Sequence, residues 1–160
     1  MIQTAEKIQK LPELLQTVKE WKQQGNRIVF TNGCFDIVHL GHIDYLQKSR
    51  NLGDKMVVGV NSDDSVKRLK GASRPVVDEY ARQRMMASFQ LVDAVVLVDE
   101  DTPLQLIQNI LPDILVKGND YTIENIVGSD VVLGNGGSVE TIELVPGYST
   151  TNLIKLIKNL

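Results

Sequence analysis

The chain has 160 residues and a formal net charge of −3, with 42% hydrophobic and 23% charged residues. A chain of that length buries roughly 70% of its unfolded surface as one domain, and the composition is that of a globular protein, not a disordered one. It excludes a basic stripe for nucleic acid and a disulfide framework, since Cys34 is the single cysteine. No secretory leader is expected, since MIQTAEKIQK has no apolar core, and no run approaches the ~18 apolar residues of a membrane span. A cytoplasmic protein with no nucleic-acid or membrane partner is expected. The one basic cluster, Lys67, Arg68, Lys70 and Arg74, is short enough to meet a single anionic ligand and equally suits a solvated turn.

Leu11, Leu14, Leu15, Val18 and Trp21 recur at helical spacing, so residues 1–25 are expected to hold a helix packed on the rest and stopped by Gly25 and Asn26. Residues 27–31 (RIVFT) read as a buried strand, 32–41 as a loop, and 42–52 as a helix with Gly53 as its stop. Residues 55–60 (KMVVGV) form a second strand, 61–64 begin a short helix or turn, and 69–75 are loop. Residues 78–91 read as a helix with Met85, Met86 and Phe89 on its inner side, and 94–98 (AVVLV) as a third strand. Thr102 and Pro103 start the next helix, the threonine as cap and the proline in the first turn, and it runs to about Ile110. Residues 113–117 (DILVK) form a fourth strand, 118–137 a loop with one helical turn near Ile123, and 139–145 a fifth strand. Pro146 and Gly147 turn the chain, and Ser149 or Thr150 caps a last helix to about Asn159.

Strands alternate with helices throughout, which predicts a Rossmann-like, doubly wound five-stranded parallel sheet with helices on both faces. A single α/β domain over 1–160 follows, with its ligand crevice at the carboxyl ends of the strands, where their order reverses.

The chemistry concentrates in TNGCFDIVHLGH, between the first strand and the following helix. Both histidines of the chain, His39 and His42, lie here, and a spacing of three puts them on one helical face. Gly41 between them lets a ligand approach the backbone, and free amides at a helix start favour anions. These features predict a polyphosphate site. Three other readings compete with it. Histidines can be purely structural, though two flanking a glycine after a buried strand are harder to explain so. Cys34, His39 and His42, with Asp36 as a fourth ligand, could hold zinc, but no Cys-x-x-Cys pair is present. A dinucleotide site would need Gly-x-Gly-x-x-Gly after the first strand, and that pattern is absent, as is the Walker loop. A second anion site is predicted at GYSTT, where hydroxyls and amides meet at a helix start, an ordinary cap being the plainer reading. Arg84, in EYARQRMM, is on these grounds alone a surface charge.

TNGCFDIVHLGH resembles the signature of the cytidylyltransferase-like nucleotidyltransferases, His-x-Gly-His after the first strand. The resemblance extends over nearly the whole chain. NSDDSVKRLKG, RPV, RQRMM, EDTP, ILPDILVKGNDY, IVGS, NGGSVETI and GYSTTNLI are similar to the adenylyltransferase domain of bacterial ADP-heptose synthesis. The resemblance implies an enzyme that joins AMP from ATP to D-glycero-β-D-manno-heptose 1-phosphate, releasing pyrophosphate, for lipopolysaccharide or other heptose glycans. That domain is often fused to a sugar kinase. No kinase segment is present in this sequence, so the stand-alone form is expected. The glycerol-3-phosphate cytidylyltransferases carry an arginine shortly before Ile-Ser-Thr-Thr; here Leu144 and Tyr148 stand at the arginine and isoleucine positions, a departure from the CTP-using pattern.

The resemblance further implies that His39 and His42 hold the triphosphate near its α-phosphorus, with Lys70 as a third catalytic group. It places Asn32, Gly33, Cys34, Phe35, Gly41, Arg84, Asp120, Ser149, Thr150 and Thr151 against the nucleotide, with Asp120 at the ribose and the three hydroxyls at the β- and γ-phosphates. Asp36 and Arg74 fall to the sugar phosphate, and Lys67 is a further basic candidate. Magnesium would accompany ATP, held by phosphate oxygens and water, with no protein metal site of its own. The family often forms dimers, so a homodimer is implied. A CTP-using transferase and a nucleotide-binding module without turnover are the alternatives.

Overall fold

The computed structural model describes residues 3–160; Met1 and Ile2, within the expected 1–25 segment, lie outside the described residues. Five strands form where apolar runs occur: β1 (Ile28–Gly33), β2 (Lys55–Asn61), β3 (Ala94–Val98), β4 (Ile114–Gly118) and β5 (Ser138–Ile142). They make one parallel sheet in the order β3-β2-β1-β4-β5. Both faces are covered, which is why the central strands are near-continuous Val and Ile runs instead of alternating ones.

One face is packed by α1 (Leu11–Gln23), α5 (Leu104–Ile110) and α6 (Ser129–Gly134). Leu14, Val18, Ile107, Ile110 and Val132 bury there against Phe30, Val57 and Leu115. The other face takes α2 (Leu40–Arg50) and α4 (Glu79–Ser88), whose Tyr45, Leu46, Met86 and Ala87 pack on Val29, Met56, Val58 and Ile114. Two more helices, α3 (Asp63–Lys70) and α7 (Thr150–Lys158), stand at the carboxyl end of the sheet. The arrangement is the doubly wound one expected. Before α1, a 3-10 turn (Thr4–Lys7) leads to Ile8, which bridges Val95, and Gln9 N–H donates to the Val95 carbonyl at 2.9 Å. That short pairing covers the β3 edge.

Sheet order reverses between β1 and β4. β1 pairs with β2 over its whole length, from Ile28 opposite Lys55 to Gly33 opposite Val60. With β4 it pairs only at Val29–Ile114 and Phe30–Leu115. Beyond those residues the two strands part, and their crossovers leave on opposite faces, so a crevice opens at this point.

Several local expectations are corrected. α3 is a full helix to Lys70, started by the Ser62 hydroxyl, which accepts from Ser65 N–H at 3.0 Å; Leu69 and Lys70, expected in the 69–75 loop, end this helix instead. Thr102 does not cap α5: Pro103 precedes its first residue without any side-chain cap. Within 118–137 a second helix, α6, follows the turn at Ile123–Asn125 and is entered through Gly128 at φ 84°. β5 ends at Ile142, short of the expected 145. On α4, Met86 is buried and Phe89 half-buried, but Met85 is 46% exposed; the inward row is Arg82, Gln83, Met86 and Ala87.

Gly53 also has a different reason from a helix stop. A Cβ there would lie 2.7 Å from Val29 Cγ2 and 2.9 Å from the Arg27 carbonyl oxygen, so the glycine lets the α2–β2 turn press against β1. Gly53→Ala must displace backbone as well as a methyl, and we expect urea unfolding to show a loss of about 1–3 kcal/mol, with no loss if the turn simply moves away.

Candidate active site

The loop leaving β1 forms the first wall of the crevice. Before it, near the end of β1, the Thr31 hydroxyl shares a hydrogen bond of 2.7 Å with the buried Tyr45 hydroxyl on α2. Phe35 follows at φ 46°, a left-handed conformation that costs a bulky residue about 1–3 kcal/mol. Its ring is 5% exposed and lies 5.5 Å from the His42 ring, so packing retains the strained turn.

His39 precedes α2 and His42 lies in its first turn; their rings stack with centroids 3.9 Å apart and planes 29° apart. His42 Nδ1 accepts a long hydrogen bond, 3.4 Å, from the His39 main-chain N–H. That contact places the ring proton on Nε2, leaving an N–H donor. Burial, helped by the adjacent His39 and opposed by Asp36, pushes the His42 pKa down to about 4. Burial lowers His39 as well. Both rings are therefore neutral near pH 7. Gly41 is required by close approach: a Cβ there would come within 3.0 Å of His39 Cε1 and Nδ1 and 3.4 Å of Tyr148 Cβ.

Four cations surround the loop, in different states. Arg74 Nε donates to Asp36 at 2.7 Å. The Asp36 side chain is fully buried, and it also accepts from Val76 N–H and Val77 N–H at 2.9–3.0 Å. Burial alone would raise its pKa; the two main-chain donors and Arg74 outweigh that and hold the carboxyl below its ordinary value. Asp36 is thus engaged in fixing the 74–77 segment while it lines the crevice. Arg82, 1% exposed, donates to the carbonyls of Cys34, Asn61 and Val77 at 2.7–2.9 Å and to Asp63 at 2.8 Å. Lys70 is exposed at the end of α3. Lys117, half-buried at the end of β4, donates to Asn32 Oδ1 at 2.6 Å.

The far wall is the N-terminus of α7. Ser149 caps it, accepting from Asn152 N–H at 3.1 Å, and Thr150 and Thr151 make its first turn. Tyr148 and Leu144 stand beside it. These walls enclose a cavity of about 560 Å³. Every candidate residue named from the sequence lines it except Arg84, Lys67, Arg68 and Gly147. Lys67 pairs with Asp64 at 3.1 Å, and Arg68 with Asp101 at 2.6 Å, so the basic cluster divides and only Lys70 and Arg74 reach the crevice. The residue that RQRMM contributes to the crevice framework is Arg82, not Arg84; nothing in the local pattern marked it, since charged residues are rarely buried. Lys117 and Tyr121, in ILVKGNDY, also line the cavity and were not singled out. Cys34 lies among them as a free thiol raised by burial, with Lys70, Arg82 and Arg74 pulling the other way and Asp36 adding to the rise. Among the described residues no three His, Cys, Asp or Glu side chains gather as a metal cage.

A parallel sheet thus brings paired histidines and a helix N-terminus to one crevice, an arrangement suited to an anionic nucleotide. The chain belongs to the cytidylyltransferase-like family, whose model matches residues 30–155. It is 52% identical over 151 residues to the bifunctional protein HldE of Methylobacillus flagellatus and 54% identical over 152 residues to that of Geotalea uraniireducens. These matches cover 94% and 95% of this chain and 31% of each relative, so the chain spans about a third of their length. Among solved structures it is similar to a lipopolysaccharide core biosynthesis protein from Thermoplasma volcanium, with TM-score 0.60 and 31% identity, covering 76% of this chain and 98% of that one. A pantoate-β-alanine ligase from Francisella tularensis shares the fold, with TM-score 0.64 at 13% identity, covering 94% of this chain and 76% of that one.

The depressed His42 pKa has a stability consequence. Above pH 6.5 the ring is neutral whether the chain is folded or not. As pH falls from 6.5 toward about 4, the unfolded chain takes up a proton that the folded site refuses, so the ligand-free protein loses stability over that window. We expect NMR titration to find His42 neutral at pH 5, and His42→Asn to remove part of the acid-side loss in thermal melts. An ordinary titration near 6.5 would contradict the burial argument.

Proposed function

We propose that this nucleotidyltransferase transfers AMP from ATP to D-glycero-β-D-manno-heptose 1-phosphate, giving ADP-heptose and pyrophosphate. The observation that carries the reading is the convergence, in one cavity, of the stacked histidines and the capped N-terminus of α7. The similarity to HldE and to a lipopolysaccharide core biosynthesis protein supports the sugar branch.

The reaction needs positioning more than proton transfer. A sugar phosphate has a second pKa of about 6, so its attacking oxygen is already anionic at neutral pH. It forms a bond to the α-phosphorus while the bond from that phosphorus to the bridging oxygen breaks, and pyrophosphate departs with the electron pair. The enzyme's share is to align the two and to stabilise charge on the α-phosphate and the leaving group. The His42 Nε2–H, fixed by the contact at Nδ1, supplies a neutral donor that needs no proton loss. His39 stacks on it and donates beside it. Main-chain amides of Asn32 to Phe35 and of Gly41 lie where phosphate oxygens approach, and Ser149, Thr150 and Thr151 at the α7 N-terminus suit the β- and γ-phosphates. Lys70, exposed at the rim, can swing over the triphosphate. Asp120 suits the ribose, and Arg74, anchored by Asp36, presents its remaining donors to the sugar phosphate. Magnesium enters in this reading on the triphosphate, carried mainly by phosphate oxygens and water. Among the described residues no helix is long and apolar enough to cross a membrane; a cytoplasmic enzyme acting as a homodimer completes the proposal.

Leu144 and Tyr148 line the cavity beside α7, where they offer no cation to a base or phosphate. A pyrophosphate-release screen of each nucleoside triphosphate against sugar 1-phosphates and glycerol 3-phosphate should show turnover with ATP and the heptose phosphate. Turnover with CTP and glycerol 3-phosphate would replace this reading, and binding without turnover would favour a regulatory module. In the same assay His39→Ala and His42→Ala should each lower kcat by about 10²–10³-fold, the cost of losing one transition-state donor; full activity in both would remove the histidines from the mechanism.

A further inference from the structure

We infer that Lys117 is a phosphate-binding residue: its ammonium, held by Asn32 across the gap between β1 and β4, meets an anionic phosphoryl oxygen of the bound substrate. The nature of that anion rests on the nucleotidyltransferase reading; the anion site itself rests on geometry.

β1 and β4 stop pairing after Phe30 and Leu115. Two residues further on, the Lys117 side chain bridges the opening, donating to Asn32 Oδ1 at 2.6 Å and to the Asn32 carbonyl at 3.3 Å. Lys117 therefore stands at the reversal of strand order, the place where ligands of such sheets bind, and it lines the cavity. An ammonium carries three donors; two are used, and the third remains. The Tyr121 ring lies 5.9 Å from Nζ and supplies only a weak counterpart.

The charges of the neighbouring cations show why this one is open. Arg74 is neutralised by Asp36, and Arg82 by Asp63. Lys70 is in solvent. Among the described residues, Lys117 forms no ion pair. If its duty were only to tie β1 to β4, a neutral amide or hydroxyl would make the same contacts without the cost of desolvating a charge. Partial burial disfavours that charge, since Lys117 is in no ion pair among the described residues, and a bound anion offsets the cost.

Burial lowers the Lys117 pKa to about 8, while Asp120 and Cys34 act to raise it. An anion arriving beside Nζ stabilises the charged form, so binding must draw a proton onto the protein at pH 8.5. The other titratable groups facing the crevice do not confuse that reading. Asp36 is held as a carboxylate by its donors, burial pushes the Cys34 thiol and the Tyr45 hydroxyl up and His39 and His42 down, and Asp120 and Lys70 are the remaining charged groups that line the cavity near it.

Isothermal titration calorimetry at pH 8.5, in buffers of different ionisation enthalpy, measures this proton directly. Wild-type protein is titrated separately with magnesium ATP, the heptose 1-phosphate and inorganic pyrophosphate. We expect proton uptake with at least one of them. Lys117→Met should abolish the uptake and weaken that same ligand on the order of 10- to 100-fold, the value of a hydrogen bond to a charged group. Lys117→Arg, which keeps the charge but does not titrate, should retain affinity within a few-fold and still lose the uptake. The ligand affected shows whether the anion is the triphosphate or the acceptor phosphate. Unchanged affinity and uptake in Lys117→Met, or no uptake by the wild type with any of the three ligands, overturns the inference. If the methionine variant does not fold, uptake retained in the arginine variant overturns it equally. Binding is read without turnover, so failure of the adenylyl-transfer assay leaves this result standing, and turnover with unaltered Lys117→Met binding sinks this inference alone.

Discussion

The crevice takes its shape from one buried guanidinium. Arg82 donates to the loop after β1, to the end of β2, to the segment before α4 and to the first turn of α3. Three of its four acceptors are main-chain carbonyls, so the charge is secured by hydrogen bonds as well as by Asp63. Asp36 is its acidic complement, a buried carboxylate that gathers Arg74 and the amides of Val76 and Val77. Buried charges are retained only when so fully satisfied, and removing one partner strands the rest. Together the two residues hold the Cys34–Val38 stretch in place, and that stretch delivers His39 and His42 to the start of α2.

The electrostatics of the cavity follow from this framework. The charges that build it cancel in pairs, and the groups left facing the cavity are neutral imidazoles, main-chain amides, hydroxyls, the Asp120 carboxylate and the lysines at the ends of α3 and β4. Such a lining offers donors and moderate positive potential without requiring any side chain to change its charge during nucleotidyl transfer, the kind of preorganisation that stabilises a migrating phosphoryl charge. The chain's overall charge of −3 is not in conflict with an anionic substrate, because the field that matters is local.

The fold was largely legible in the sequence, and the site partly so. Short Val- and Ile-rich runs bounded by turn residues mark strands buried on both faces, so the strands were readable within a few residues. His-x-Gly-His was readable because a glycine between two histidines has few structural uses. What escaped detection depends on partners distant in sequence. The inner side of α4 was assigned to Met85, Met86 and Phe89 because apolar periodicity is the usual guide, yet the helix is turned so that Arg82 points inward, toward carbonyls as much as 48 residues away. The structural partners of Asp36 were not legible because its three donors lie at 74–77, beyond any local pattern. Lys117 read as the polar end of a strand, and its importance emerges only when β1 and β4 are seen to part. Thr102 was given a capping role by residue type alone, and α6 was hidden by the glycines around it.

α7 differs from the other long helices in having no buried residue, and Leu156 and Ile157 are more than half exposed. It nonetheless carries Ser149, Thr150 and Thr151 into the cavity. An element with so little anchoring has a small local opening free energy, so its amides exchange with solvent well before those of the sheet. Part of any ligand's intrinsic affinity then goes into ordering this helix. The crevice thus joins a rigid half, built on the sheet, to a yielding half whose order depends on what it holds.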